Sequence, residues 1–399
     1  MNKIKILCLS FHTPPAVRPQ AILIGKMIPE WIRQGLEPVI ITYEESGEWD
    51  INAPVFKIKN FCINKFFNKI QPLREFFRYR YYKKLTDIIE DIAQKNKIDV
   101  IFSFAKPIDS NIVGAMLKKR LSLPFVSHFS DPWYDDPYRS FPKFEEKKVL
   151  WQENFIIKNS DKVIFTNETA RKLVMKKYPE SWFKKSGVIP HCFNLKDYSE
   201  AQKIGSDKFI ISHIGAFYKK RNSEPLFQAL KKIIDENPGL AHKFRIELVG
   251  AVNDYAGYSA KGIENMAEVY HLKDNIKIIP PVSYEESLKY MKSSDCLVVI
   301  DADMPGSPFL PSKVVDYAGS GNTILGITPK GSPTAEFLKN LGYGSFSYDE
   351  SDKLKDYLNN LISSRVEMKV NQSFLESFTV SSTTKKLISF FNEVLPKNS

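Results

Sequence analysis

Hydrophobic positions along this chain fall into short, nearly continuous runs separated by longer amphipathic stretches. The runs IKILCLSF, PVIITY, DVIFSF, PFVSHF and KVIFTN are rich in β-branched and aromatic residues. Such runs predict strands buried on both faces. Between them, stretches such as NIVGAMLKKRL and KKVLWQENFIIKNS read as helices. After the polar segment GVIPHCFNLKDYSEAQKIGSD the alternation begins again, with FIISHIG, FRIELVG, IKIIPP, CLVVID and TILGIT as its strands. The expected fold is α/β, with two facing Rossmann-like, doubly wound domains. The first spans 1–190 and the second 208–375, joined by a linker at 191–207 about which they would close like a hinge. A final helix within 376–399, near STTKKLISFFNEVL, is expected to pack back on the first domain.

The chain has 399 residues, 43% of them hydrophobic, which suits two soluble cores and excludes a disordered polymer. No apolar run is long enough to span a bilayer. The opening stretch reads as a buried first strand and not as a secretory leader. Cys8, Cys62, Cys192 and Cys296 are widely spaced and suggest neither a zinc site nor a disulfide framework, so a cytoplasmic setting is expected. Charge changes the picture more. Residues 1–190 carry 32 Lys and Arg against 21 Asp and Glu, whereas 191–399 carry 25 of each. The whole net charge of +11 lies in the first half, which points to an anionic partner there.

The segment FLPSKVVDYAGSGNTILGI, from Phe309 to Ile327, follows the strand CLVVID and a loop. A helix is expected to start near Pro311, where a missing N–H costs nothing, and to end at Gly321. Ser312 and Lys313 then sit in its first turn, where backbone donors and the helix dipole favour a phosphate. Asp316, one turn on, would accept hydrogen bonds from ribose hydroxyls.

LPSKVVDYAGSGNTILGI resembles the Pro-Ser-Lys…Glu-Tyr…Gly segment of the retaining, nucleotide-sugar-dependent glycosyltransferases with the GT-B fold, the family-four group. FHTPPAVRPQAILIGKMIPEWIRQGLEPVIIT, HFSDPW, VIPHCFN, IGAFYKKRNSEPLFQAL and SYEESLKYMKSSDCLVVI resemble that family's further motifs, in its order and over nearly the whole chain. The resemblance implies transfer of a sugar from a nucleotide diphosphate to a glycan or lipid-linked glycan acceptor, in bacterial surface-polysaccharide assembly. It implies donor binding by Gly215, Arg221, Ser307, Phe309, Leu310, Ser312, Lys313 and Asp316, with no metal and no other cofactor. Arg221 and Lys313 would neutralise the leaving diphosphate. Two features of the family are absent: the first acid of its paired-glutamate motif, where GSPF stands, and one of two phosphate-binding cations, where Ala216 follows Gly215.

On the acceptor side, His128 and Asp131 stand at the end of the strand PFVSHF, where a histidine would orient or deprotonate an acceptor hydroxyl. Arg18, in the loop after the first strand, belongs to the same side. Residues 57–84 contain nine Lys or Arg, one acid and eight Phe or Tyr. This mixture suits an anionic membrane surface better than a nucleic acid, with Lys65, Lys69, Arg74 and Arg78 as contacts and the protein peripheral at the inner face of the plasma membrane. Two other function classes fit the same residues: a nucleotide-sugar epimerase of this fold, and a non-catalytic glycan-binding member.

Overall fold

The computed structural model describes residues 3–16, 18–45, 51–63, 70–218, 221–364 and 368–396. The chain divides into two compact units, residues 1–191 with 380–399, and residues 192–379. In the first, strands β1 (Ile4–Leu9), β2 (Leu36–Tyr43), β3 (Val55–Ile58), β4 (Val100–Phe104), β5 (Phe125–Phe129), β6 (Lys162–Phe165) and β7 (Ser186–Val188) alternate with helices. These are α1 (Pro19–Arg33), α2 (Gln71–Asn96), α3 (Asp109–Leu121), α4 (Lys143–Asn159), α5 (Glu168–Met175) and α6 (Glu180–Lys184). The second unit opens with α7 (Leu195–Glu200), β8 (Phe209–Ile214), α8 (Glu224–Glu236), β9 (Phe244–Val249), α9 (Ala260–Val269) and β10 (Ile276–Ile279). It continues through α10 (Tyr284–Ser293), β11 (Cys296–Ile300), α11 (Ser312–Gly319), β12 (Thr323–Ile327), α12 (Pro333–Leu341), β13 (Gly344–Phe346), α13 (Ser351–Ser364) and α14 (Gln372–Glu376). Helix α15 (Val380–Val394) returns to the first unit.

Both sheets are parallel, in the orders β3-β2-β1-β4-β5-β6-β7 and β10-β9-β8-β11-β12-β13. Their central strands are buried at every position because helices cover both faces, and so they read as unbroken apolar runs. Side-chain caps start several helices: Ser283 Oγ accepts from the Glu286 N–H at 3.1 Å, and Ser332 Oγ from that of Ala335 at 3.1 Å. In each sheet the strand order reverses beside its first strand, between β1 and β4 and between β8 and β11. Ligands of doubly wound sheets bind beyond the carboxyl ends of strands at such points.

Helix α15 completes the first core. Leu387 and Phe391 are buried in one cluster with Ile6, Cys8, Ile24 and Ile28. The Phe391 ring meets Phe102 edge-on, with centroids 5.4 Å apart. The Phe390 ring lies 2.6 Å from where a Cβ on Gly187 would stand, so a side chain at 187 would push on that ring.

Three details differ from the sequence reading. Residues 192–200 are no linker: Phe193 and Tyr198 are buried in the second unit, because an otherwise polar stretch carries these two aromatics toward α11. Residues 376–379 also belong to the second unit, so the returning helix starts at Val380. Helix α11 ends at Gly319, where a Cβ would lie 2.6 Å from the Phe193 ring, and Gly321 follows in the left-handed region.

Candidate active site

In the second unit the strand-order reversal brings three segments together: the turn after β8, the end of β11 and the start of α11. Gly215 has φ +116, and a Cβ there would lie 2.7 Å from Lys313 Nζ. Glycine is thus required twice, for the backbone and for the space the ammonium occupies. Lys313 Nζ also lies 3.5 Å from His213 Nε2. His213 Nδ1 is 3.0 Å from the Val298 carbonyl, to which it donates, so its Nε2 lone pair faces the ammonium. Burial, and then the charge of Lys313, hold this imidazole well below its usual pKa and neutral.

Asp301 follows β11 and is buried. One carboxylate oxygen accepts from the Thr328 hydroxyl at 2.9 Å, and the other lies 3.6 Å from the Arg221 guanidinium. Arg221 pairs with this buried carboxylate, whose charge also acts on Lys313. Burial, followed by Arg221, pulls Lys313 down from 10.5 to about 8, against the opposing charge of Asp301. The cluster carries an excess positive charge beside the N-terminus of α11, an arrangement that takes an anion.

The remaining donor-side residues lie along the same loop and helix. Ser307 is buried in a turn whose N–H donates to the Met304 carbonyl at 3.1 Å, with Gly306 at φ +74. Phe309 is buried, and Leu310 sends its side chain into the second unit's core. Ser312 opens α11 after Pro311, which occupies the cap position and not the first helical one. Asp316 is not a solvated carboxylate. It is buried beside Tyr198, Tyr284 and Tyr317, whose hydroxyl pKa values burial raises first and Asp316 raises further.

In the first unit His128 stands in β5 with its ring 4.9 Å from that of Phe104. Burial, and then His191, push it down to about 3, against Asp131. His191 is likewise pushed to about 3 by burial and by Lys26 and Lys106. His128 is therefore held neutral, with its buried Nδ1 making no hydrogen bond. Asp131 forms its ion pair with Lys106. Arg18 is exposed at the start of α1, and its charge, after burial, lowers the pKa of His12.

Of the expected membrane contacts, Lys65 and Lys69 lie outside the described residues. Arg74 is only part-exposed and pairs with Glu75 at 3.3 Å. Arg78 is likewise part-exposed and pairs with Asp109, 3.4 Å away on the first turn of α3. Sequence reasoning passed over His213 because a lone histidine in an apolar strand looks like core. It passed over the pairing of Asp301 with Arg221 because eighty residues separate them. Among the described residues no three His, Cys, Asp or Glu side chains group as a metal would need.

Residues 21–197 match the family model Glycosyltransferase Family 4, and residues 196–302 match Glycosyl transferases group 1. No curated protein matches the chain by sequence. Among solved structures it is similar to sucrose-phosphate synthase from Thermosynechococcus elongatus, with TM-score 0.72 and 14% identity over 98% of this chain and 99% of that one. It is also similar to Anabaena HepE in complex with UDP, with TM-score 0.67 and 15% identity over 98% of this chain and 100% of that one. An E. coli trehalose-6-phosphate protein bound with UDP-2-fluoro glucose gives TM-score 0.69 and 12% identity over 98% and 100%. The two matched models adjoin and together span residues 21–302, and the fold is shared from end to end: this protein is a glycosyltransferase of the GT-B fold.

Proposed function

We propose that this glycosyltransferase moves a sugar, with retention, from a uridine-diphosphate donor to a lipid-linked glycan during bacterial surface-polysaccharide assembly. The observation that carries the donor half is the cluster of Gly215, Lys313 and Arg221 around Asp301. UDP is the nucleotide chosen because it accompanies HepE, and a UDP-sugar analogue accompanies the E. coli relative. Gly215 admits the diphosphate to the backbone. Lys313 and Arg221 take up the negative charge that grows on the leaving group as the glycosidic bond breaks, which lowers the barrier where charge develops. Asp301 keeps the two cations together while the site is empty. Asp316 is assigned to ribose, and His128 to a hydrogen bond with an acceptor hydroxyl. The lipid-linked acceptor is supported by the positive charge concentrated in residues 1–190.

Calorimetric titration with UDP, followed by transfer of labelled sugar from a panel of UDP-sugars to a bacterial lipid extract, tests this reading. Lys313→Ala is expected to weaken UDP binding by about 1–3 kcal/mol, the cost of one charge-assisted contact. Undiminished UDP binding by that variant refutes the assignment of Lys313. Release of epimerised sugar nucleotide without any acceptor refutes transfer as the reaction.

A further inference from the structure

Helices α2 and α4 of the first unit each leave apolar side chains in solvent. On α2 these are Leu73, Phe76 and Tyr79, and on α4 Phe144, Leu150 and Trp151. Phe76, Tyr79, Phe144 and Trp151 are all more than half exposed, at 53%, 61%, 55% and 60%. Their spacing puts Phe76 and Tyr79 on one face of α2, and Phe144, Lys147 and Trp151 on one face of α4. The two helices meet near these faces. Lys148 of α4 reaches Glu75 of α2 at 2.6 Å, directly beside Phe76. The N-terminal half of α3, between them, is buried.

Cations are interleaved with these rings. Residues 71–84 and 143–151 together contain eight Lys or Arg and three acids. Two of the acids are engaged within the unit, Glu75 by Lys148 and Glu146 by the Tyr134 hydroxyl at 2.8 Å. Arg80, Lys83, Lys84, Lys143 and Lys147 remain exposed. The Arg80 guanidinium lies 5.7 Å from the Phe76 ring centre, and Trp151 stacks on Phe155 at 5.3 Å. In a parallel sheet the helices run against the strands. The N-terminal halves of α2 and α4 therefore lie toward the carboxyl ends of the strands, the end that bears His12, Lys106 and Asp131.

We infer that the joined N-terminal halves of α2 and α4 form a docking face for an anionic lipid bilayer. Aromatic rings settle at headgroup depth, and the lysines and arginines around them meet lipid phosphates. Charge decides the occupant. A second copy applied to this face would set cation against cation, whereas an anionic leaflet complements all of it. Among the described residues no helix is long and apolar enough to cross a membrane, so this face would hold the unit at the surface. The surface rests on the lipid-linked acceptor proposed above, yet its test needs neither donor nor acceptor.

The full chain is mixed with vesicles of phosphatidylcholine alone or with added phosphatidylglycerol, and the bound fraction is measured by flotation at low and high salt. Binding to the anionic vesicles at low salt, lost at high salt, is expected. Phe76→Ser with Trp151→Ser, and separately Arg80→Gln with Lys83→Gln and Lys147→Gln, should each lower vesicle affinity about tenfold or more, from lost ring insertion and lost lipid contacts. All five side chains are exposed, so UDP binding and melting temperature should stay unchanged. Brominated lipid should quench tryptophan emission in the native protein and much less in Trp151→Phe. Indifference to anionic vesicles, equal binding to neutral ones, or variants that alter self-association and leave vesicle binding intact would overturn the inference. UDP binding by the same preparations shows separately whether the donor assignment holds.

Discussion

Lys313 offers a direct test of the site through pH. Its ammonium is pulled down to about 8 in the free protein, first by burial and then by Arg221. A bound diphosphate supplies the missing counter-charge and returns it toward its ordinary 10.5 or higher. Affinity for UDP is then linked to proton uptake at this one group. The sign follows from the direction of the shift: binding favours the protonated lysine, so affinity is full below the free-state pKa and falls above it. Each further pH unit costs a factor of about ten, or about 1.4 kcal/mol. Between pH 7 and pH 9 the dissociation constant for UDP should rise roughly tenfold, and by pH 9.5 roughly thirtyfold. The phosphate itself contributes little in this window, since its last proton leaves near pH 6. Calorimetry in buffers of different ionisation enthalpy gives both the constant and the number of protons taken up. Lys313→Arg should bind with a flat profile, because a guanidinium does not titrate here. Lys313→Met should bind weakly and also flatly. A wild-type profile that is flat from pH 7 to 9.5, or an unchanged slope in Lys313→Met, would refute the reasoning.

Two further outcomes follow from the geometry. Gly215→Ala should abolish measurable UDP binding while the protein stays folded, because its Cβ would enter the space of Lys313 Nζ at a backbone angle that L residues resist; circular dichroism and titration check both halves. Turnover between pH 5 and 8 should show no inflection that His128→Gln removes, since burial has already stripped His128 of its proton throughout that range; a step near pH 6.5 that vanishes in the variant would make it a general base after all.

The central strands were legible because burial on both faces leaves an unbroken apolar run, as in VIFSF and CLVVI. The edge strands β3, β7 and β13 were not. VFKI, SGV and GSF are short and part-exposed, and they lack the apolar excess that marks a strand. Gly215 and Lys313 were legible because a turn and a helix start carry their own signals. Their partners were not, because His213 and Asp301 reach the cluster only through the parallel pairing of β8 and β11. No local pattern records which way a buried histidine points. Arg78 shows the converse: the composition of its stretch pointed to solvent and lipid, yet its guanidinium is engaged by an acid thirty-one residues away.

The return of α15 to the first unit has a consequence for how the chain is made. The chain leaves that unit at His191 and rejoins it at Val380, so the ribosome completes the whole second unit before supplying Leu387, Phe390 and Phe391. Throughout that interval the face of β1 and α1 that carries Ile6, Cys8, Ile24 and Ile28 lacks its cover. A nascent chain in this state presents bare sheet and apolar surface, the kind that chaperones retain and that aggregates. The second unit holds all of its own core and can reach its final form earlier. The order of maturation thus runs opposite to the order of synthesis: the domain begun first is finished last, and a frameshift near residue 380 would spare the entire donor cluster yet leave a protein that the cell treats as unfolded.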